Sequence, residues 1–411
     1  MKIIIGAGIS GLSAARNLKG KYIVLEKNKV CGGLSTQYKS NDYWFDYSGH
    51  YFHFKNNPQV KSYLEQYSPF KSYLRKSKIY IHNQLVPFPI QLHLSHLPKR
   101  KARLIVDEFP DHPKTTCPNL ESFLKENFGN ELFTTFFQPF LNKYYQTSLK
   151  NLLATMDKGS IPVPDKKAVL QGFWGKRFQN QGYNPVFFYP TTSLRQLIEN
   201  MATPIYPHIE LNQEVQTIDW KNRKVFTRQK SYSYECLINT MPLNRLLNRL
   251  EPGLDLPDST ELKYISTLFC NVVLKRKRKR FHWVYLAEKK FPFYRAGFYP
   301  SRNPPVCYLE RTITRRTKSP SHEQLTTDIM FTLKELGIIK ESDEILYIDH
   351  RIIPVSYVIF NLEWEKVVPL TLAKLRRLGI YSIGRYGAWN YTSMSDDIRM
   401  AVETTDKINE K

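Results

Sequence analysis

The chain opens on an apolar stretch, Lys2-Ile-Ile-Ile5, that runs directly into Gly6-Ala-Gly8-Ile-Ser-Gly11 and then into a segment with helical spacing. That order restricts the fold more than any other feature of the sequence. A glycine at the first position permits a tight turn, one at the second lets backbone approach a pyrophosphate, and one at the third lets helix and strand pack closely. The N-terminus of the helix that follows attracts the pyrophosphate charge. Glu26 stands 15 residues beyond Gly11 at the end of a second apolar run, where a carboxylate can accept hydrogen bonds from ribose hydroxyls. The spacing predicts a helix over 10–18 and a strand over 21–26, with Gly6, Gly8, Gly11 and Glu26 holding a dinucleotide.

At 411 residues the chain exceeds one compact core. From 98 to 139 the apolar spacing is helical. From 231 onward short β-rich runs follow, at 232–240, 267–277, 282–288, 293–300 and 306–314, and they predict an antiparallel sheet. A helix is expected over 322–336. The C-terminal stretch predicts a buried strand, a loop and a closing helix entered through Ser395-Asp396. The expected class is α/β: a discontinuous Rossmann-type domain with a helical insertion and an antiparallel-sheet substrate domain. The boundaries expected are 1–75 with 185–245 and 375–411 for the nucleotide domain, 92–184 for the helical domain, and 76–91 with 246–374 for the sheet.

Lys and Arg number 60 against 37 Asp and Glu, a net charge of +23. Such a surplus favours anionic partners through long-range attraction. On charge alone, nucleic acid, an acidic membrane surface and phosphorylated small molecules all qualify. The motifs that follow imply a phosphorylated small molecule and not nucleic acid, with peripheral contact of a basic surface with a membrane left open. The densest run, Lys275–Arg280, suits a solvated face, a membrane contact or a localisation signal. Cys31, Cys117, Cys236, Cys270 and Cys307 form no CxxC pair, so neither a disulfide framework nor a metal site is expected. With no apolar run near bilayer length and Met1 leading straight into a strand, a cytoplasmic location is expected. The oligomeric state is not legible.

A second glycine pair in Val30-Cys-Gly32-Gly33-Leu-Ser, followed by Trp44-Phe-Asp-Tyr-Ser-Gly-His50, resembles the GG motif of the amine oxidase and protoporphyrinogen oxidase superfamily. Gly384-Arg-Tyr-Gly387 resembles the segment with which those proteins close on their flavin. The resemblance implies FAD, held by Gly6, Gly8, Gly11, Glu26, Gly32, Gly33, Gly49, Val215, Gly384 and Arg385.

Between these motifs the sequence resembles UDP-galactopyranose mutase, in patches over nearly the whole chain. Ser48-Gly-His50 is similar to that family's loop against the flavin. Val86-Pro-Phe-Pro-Ile-Gln91 looks like its uracil strip, which implies that Phe88 stacks and Gln91 hydrogen-bonds the base. Gly182-Tyr-Asn184 resembles a substrate-contacting loop. Trp283-Val-Tyr285 and Phe293-Tyr-Arg295, with Tyr357 and Tyr391, are similar to the family's diphosphate-binding tyrosines and arginine. The resemblance implies an isomerase that interconverts pyranose and furanose forms of a nucleotide-diphosphate sugar, a glycan precursor. Reduced-flavin N5 would be the nucleophile, Arg295 and His50 the catalytic residues, and NADH or NADPH a candidate reductant. The chain departs from the family where a second phosphate-binding Arg is usual, since Ser160 stands there with Lys158 nearby. It departs again around Tyr144-Tyr145, with Leu141 in place of an Asn. The alternative is an FAD-dependent oxidoreductase of amine oxidase or protoporphyrinogen oxidase type, and a third reading, from charge alone, is a non-catalytic flavoprotein.

Overall fold

Residues Lys2–Ile5 (β1) lie between two parallel neighbours, with Ile3 and Ile4 inaccessible to solvent, and a near-continuous apolar run is what a strand covered on both faces requires. The computed structural model describes every residue except 158–160, 180, 183, 257–258, 277–278, 280, 301, 315–318 and 411. Its chain forms two units, Met1–Tyr73 with Phe187–Lys263 and Glu363–Lys411, and Leu74–Val186 with Tyr264–Leu362.

In the first unit β1 leads into α1 (Ile9–Asn17) and then β2 (Tyr22–Leu25). The parallel sheet has the order Ile380–Ser382, Cys236–Asn239, β1, β2, Ile209–Glu210. This corrects the reading of 232–240 as part of an antiparallel sheet. Only Ser231–Ser233 pairs that way, while Cys236–Asn239 is buried throughout and joins the parallel sheet beside β1. The last helix, Met394–Asn409, packs on α1, where the Asn17 amide donates to Thr405 Oγ1 at 2.8 Å and Asp406 Oδ1 at 2.7 Å. Its N-cap is Ser393 rather than Ser395. The Ser393 hydroxyl accepts from the Asp396 N–H and the Asp396 carboxylate accepts from the Ser393 N–H, a reciprocal capping box.

The second unit is built on a seven-stranded sheet: Ile345–Val358, Tyr264–Leu274, Val306–Ile313, Arg295–Phe298, Trp283–Leu286, Ser77–Ile81, Gln84–Pro87. All neighbours are antiparallel except Trp283–Leu286 beside Ser77–Ile81. The long edge strand Ile345–Val358 was not expected from sequence, because its exposed charged residues and Pro354 hide the alternation, and an edge is where a strand tolerates proline. The helix His322–Glu335 lays Leu325, Ile329 and Leu333 on the same core as Leu268, Cys270 and Val272 of the sheet. The expected helical stretch holds Lys99–Glu108 and Leu120–Phe128, then continues past Pro139 to Tyr145. A π-turn over Phe133–Phe137, closed by the Gln138 N–H on the Phe133 carbonyl, precedes the proline and absorbs the irregularity it brings.

Leu333 is fully buried in that core. Leu333→Ala is expected to lower stability by about 2–5 kcal/mol, whereas Thr327→Ala on the exposed side of the same helix should change it by less than about 0.5 kcal/mol. Comparison of urea midpoints checks this, and equal effects would contradict the packing described.

Candidate active site

The glycine turn is held together from three sides. A Cβ on Gly11 would lie 1.9 Å from the Gly6 carbonyl oxygen, so α1 starts as close to β1 as backbone allows. Gly6 itself has φ of 97°, in the region that favours glycine. Glu26 is 4% exposed, and its Oε2 accepts from the Ala7 N–H at 2.8 Å. Its Oε1 accepts from the Asn28 N–H and side-chain amide, both at 2.8 Å. Glu26 therefore braces the turn, with acceptor capacity left on Oε2 for a hydroxyl. The second glycine pair joins the same cradle through the Gly32 N–H on the Ala7 carbonyl at 2.7 Å, and a Cβ on Gly33 would stand 3.5 Å from the Gly8 Cα.

α1 has Gly8 as N-cap, no side-chain cap and no acidic residue in its first turn. A Cβ on Gly8 would meet only the Gly32 carbonyl, at 4.0 Å. Uncapped N–H groups beside an open glycine fit an anionic dinucleotide. Gly384–Gly387 winds as one helical turn against α1, where a Cβ on Gly384 would lie 2.4 Å from Ser10 Oγ. Val215 begins the strand Val215–Asp219 and is 3% exposed.

Other expected residues of this unit sit on braced loops. Asp46 is inaccessible to solvent and accepts from the Gln37 amide and the Tyr189 hydroxyl, each at 2.6 Å, anchoring the chain just before Gly49 and His50. His50 is half-buried with Nδ1 3.4 Å from the Ser48 carbonyl. The Arg385 guanidinium donates to the Thr392 carbonyl and stacks 4.7 Å over the Tyr391 ring, so these two residues form one local group.

In the second unit the remaining residues form a continuous strip. Arg75 lies 5.1 Å over the Phe88 ring, Phe88 is 5.5 Å from Tyr285, and Tyr285 is 5.3 Å from Phe140. Phe140 stacks on Tyr144 at 6.2 Å, Tyr144 lies 5.3 Å from Tyr357, and the Tyr357 hydroxyl accepts from Arg295 Nη2 at 3.3 Å. Every member of this strip is half-buried. Arg295 is paired with Glu310, which is 2% exposed, through Nε on Oε2 and through Nη2 on Oε1 at 2.7 Å. Burial works against the Arg295 charge, but the Glu310 carboxylate, Tyr357 and Tyr308 together more than offset it and hold the guanidinium firmly ionised. Burial lowers the Arg75 proton affinity in turn.

Two expectations sit differently. Gln91 is 1% exposed and donates one amide N–H to the Pro162 carbonyl at 2.5 Å. Asn184 occupies the left-handed region with φ of 51° and is half-buried. Lys158 and Ser160 lie outside the described residues. Leu141 is buried in the helix behind the strip, while Lys143 donates to the Leu286 and Glu288 carbonyls at 2.8 and 2.6 Å and ties that helix to the end of the Tyr285 strand. Arg75, Phe140 and Glu310 were not anticipated. Phe136, Phe140 and Tyr144 recur every four residues, a spacing that puts rings on one helix face and was visible in the sequence.

Comparison with known proteins agrees with these observations. A family model described as an NAD(P)-binding Rossmann-like domain matches residues 4–67. A protein of Klebsiella pneumoniae described as a probable UDP-galactopyranose mutase is 25% identical over 226 residues, 52% of this chain and 55% of that relative. The match thus spans about half the length of the curated relative. A crystal structure of reduced UDP-galactopyranose mutase superposes with a TM-score of 0.90 at 20% identity, covering 99% of this chain and 93% of the other. The cyclohexylamine oxidase of Brevibacterium oxydans superposes with a TM-score of 0.68 at 15% identity, covering 100% and 98%. The chain is similar to UDP-galactopyranose mutase in both sequence and fold, and it shares that fold with an amine-oxidising enzyme.

Asp397, beside the Arg385–Tyr391 group, accepts from Thr392 Oγ1 at 2.6 Å. Burial pushes its carboxyl up from the ordinary 3.8 to about 6, against the opposing pull of Thr392 and Arg385. The folded chain therefore holds this proton more tightly than the unfolded one, and stability falls as pH rises from 3.8 to about 6, then levels off. Asp397→Asn removes that loss. Its urea midpoint should exceed the parent's by more at neutral pH than in acid, and an equal difference at both would contradict the assignment.

Proposed function

We propose that the chain is an FAD-dependent enzyme that isomerises the sugar ring of a nucleotide-diphosphate sugar between pyranose and furanose forms. The observation that carries this reading is the strip from Arg75 through Phe88, Tyr285, Phe140, Tyr144 and Tyr357 to Arg295. It combines flat rings at one end with hydroxyls and a guanidinium at the other. A base needs a π-face and a diphosphate needs donors, and this strip offers both in that order. The similarity to UDP-galactopyranose mutase supports the same class.

In this reading Gly6, Gly8, Gly11, Glu26, Gly32, Gly33, Gly49, Val215, Gly384 and Arg385 hold FAD. When bound and reduced, the flavin supplies the nucleophile, at N5. The protein's part is to grip the two ends of the substrate. Phe88, with Arg75 on one face, presents a ring to the base. Arg295 has five N–H donors. Glu310 and Tyr357 take three of them, from Nε and Nη2, and the two on Nη1 are left for a phosphate oxygen. Because Glu310 cancels the charge of Arg295, the departing diphosphate is stabilised mainly by oriented dipoles, those of Nη1 and of the Tyr285 and Tyr357 hydroxyls. Tyr391, Asn184 and His50 complete the substrate and cofactor contacts of this reading, while Gln91 serves through the fold. The reaction belongs with glycan-precursor synthesis in the cytoplasm, with NADH or NADPH as reductant.

The second reading, an oxidoreductase of amine oxidase or protoporphyrinogen oxidase type, draws on the fold shared with cyclohexylamine oxidase. Anaerobic incubation of the dithionite-reduced protein with UDP-, dTDP- and GDP-sugars separates the two. An isomer of unchanged mass, absent without reductant, is expected. No isomer from any donor, with peroxide formed aerobically from an amine, would establish the oxidoreductase instead.

Arg295 also gives a sharper test. Arg295→Ala would remove the guanidinium that pairs with the buried Glu310 carboxylate, at a cost of about 3–5 kcal/mol, so lost activity could reflect lost stability. Arg295→Lys keeps a charge beside Glu310 but loses the fork. It is expected to retain bound flavin and to lower turnover roughly 10²–10³-fold. Turnover within about threefold of the parent would remove Arg295 from the phosphate site.

A further inference from the structure

We propose that the second unit carries a peripheral docking face for anionic lipid bilayers, centred on Trp174 and formed by the helix Lys166–Phe173 and the turn that follows it. The inner side of this helix is fixed by contact. Val169 and Gly172 are buried, and a Cβ on Gly172 would lie 2.5 Å from the Leu92 carbonyl oxygen, so the helix rests against backbone at that point. Its opposite side is thereby committed to the outside. Leu170 and Trp174 are one helical turn apart on that side, and they are 37% and 75% exposed. The Trp174 ring meets Phe173 in an edge-on contact at 5.0 Å, and no other ring contact is recorded for it among the described residues. A side chain this large and apolar, left so open, is the kind of feature that marks an interaction surface.

The charge around it is mainly positive, although Lys166 is paired with the exposed Asp111 at 3.1 Å. Residues 165–177 contain four basic side chains and one acid, a net of +3, and the acid, Asp165, is occupied in capping the helix by accepting from the Ala168 N–H at 2.6 Å. Lys167 and Arg177 are exposed and make no ion pair among the described residues. Lys176 is held along the helix by Gln171 Oε1 at 2.8 Å and lies 5.4 Å over the Phe178 ring. Phe178 in turn packs edge-on to His93 at 6.4 Å, which fixes the turn beside the start of the helix Lys99–Glu108, where Lys99 and Arg100 are also exposed.

A tryptophan and a leucine inside a ring of Lys and Arg suit the boundary between headgroups and acyl chains. There the indole sits at the interface and the cations meet anionic headgroups. Nucleic acid would use the cations, but it would leave Leu170 with nothing apolar to contact. Among the described residues no helix is long and apolar enough to cross a membrane, so the contact is peripheral.

Flotation of the full chain with phosphatidylcholine vesicles, and with equimolar phosphatidylcholine and phosphatidylglycerol, tests the proposal. Binding is expected only to the anionic vesicles and should weaken steeply with salt. Lys167→Glu/Lys176→Glu/Arg177→Glu should weaken it by two orders of magnitude or more, at about fivefold for each cation removed. Trp174→Ala should weaken it about tenfold or more and abolish quenching of tryptophan emission by brominated acyl chains. Both variants should keep the parent's circular dichroism and flavin content, since these side chains are exposed. No binding to anionic vesicles, or binding unchanged in both variants, would overturn the proposal. So would patch-dependent binding to duplex or single-stranded DNA that is tighter than binding to vesicles, which would assign the face to nucleic acid.

Discussion

The close approach of Gly11 to the Gly6 carbonyl is the constraint on which the first unit depends. With 1.9 Å between a hypothetical Cβ and that oxygen, no other residue fits without moving β1 or α1. Once the helix starts there, its N-terminal amides point past Gly8, and Glu26 and Gly32 both hydrogen-bond to the backbone of Ala7. The cradle is therefore mostly backbone. Its side-chain contribution is one buried carboxylate that holds the turn, with ribose recognition as the second use proposed for the same group.

The second unit solves a different problem with a different currency. Its strip depends on side chains, and the geometry of each follows from a regular element. Tyr285 and Arg295 face each other across paired antiparallel strands, Phe140 and Tyr144 stack along one helix face, and Tyr357 stands on the edge strand paired to Ile265. Glu310 pairs in register with Arg295 on the next strand, so the ion pair follows from the sheet register itself. A buried charge pair of this kind adds little stability over an apolar pair but fixes the orientation of the guanidinium plane. That orientation is what a phosphate oxygen would read.

Much of this was legible in the sequence for physical reasons. The glycine turn was readable because only glycine satisfies its sterics, while Arg295, Tyr285 and Phe88 were picked out only by resemblance to UDP-galactopyranose mutase. What stayed hidden depends on partners remote in sequence. Nothing near Arg295 announces that Glu310 will neutralise it, because their register is set by strand pairing. Nor does anything near Gln91 announce its hydrogen bond to the Pro162 carbonyl, 71 residues away. Cys236–Asn239 was read as part of an antiparallel sheet because a short apolar run does not reveal whether its neighbours are parallel. The edge strand Ile345–Val358 went unseen because its exposed face carries charges that dilute the pattern.

The contrast between the two units explains why similarity to other proteins is uneven in its meaning. A cradle of backbone amides tolerates wide sequence change as long as a few glycines remain, and a TM-score of 0.90 at 20% identity is consistent with that tolerance. A strip of side chains does not tolerate it, because each replacement alters what can be bound. The departures at Leu141 and Ser160 both concern side chains expected near sugar and phosphate, and Arg295 brings no net charge because of Glu310. In the function proposed, a site with Ser160 at the usual arginine position and Arg295 neutralised by Glu310 would rely on tyrosine hydroxyls, ring faces and Arg75 for most of its grip. Such a site would discriminate by shape and hydrogen-bond direction more than by charge, so the sugar of the proposed substrate is where the chain would have most freedom to differ from the mutases it resembles.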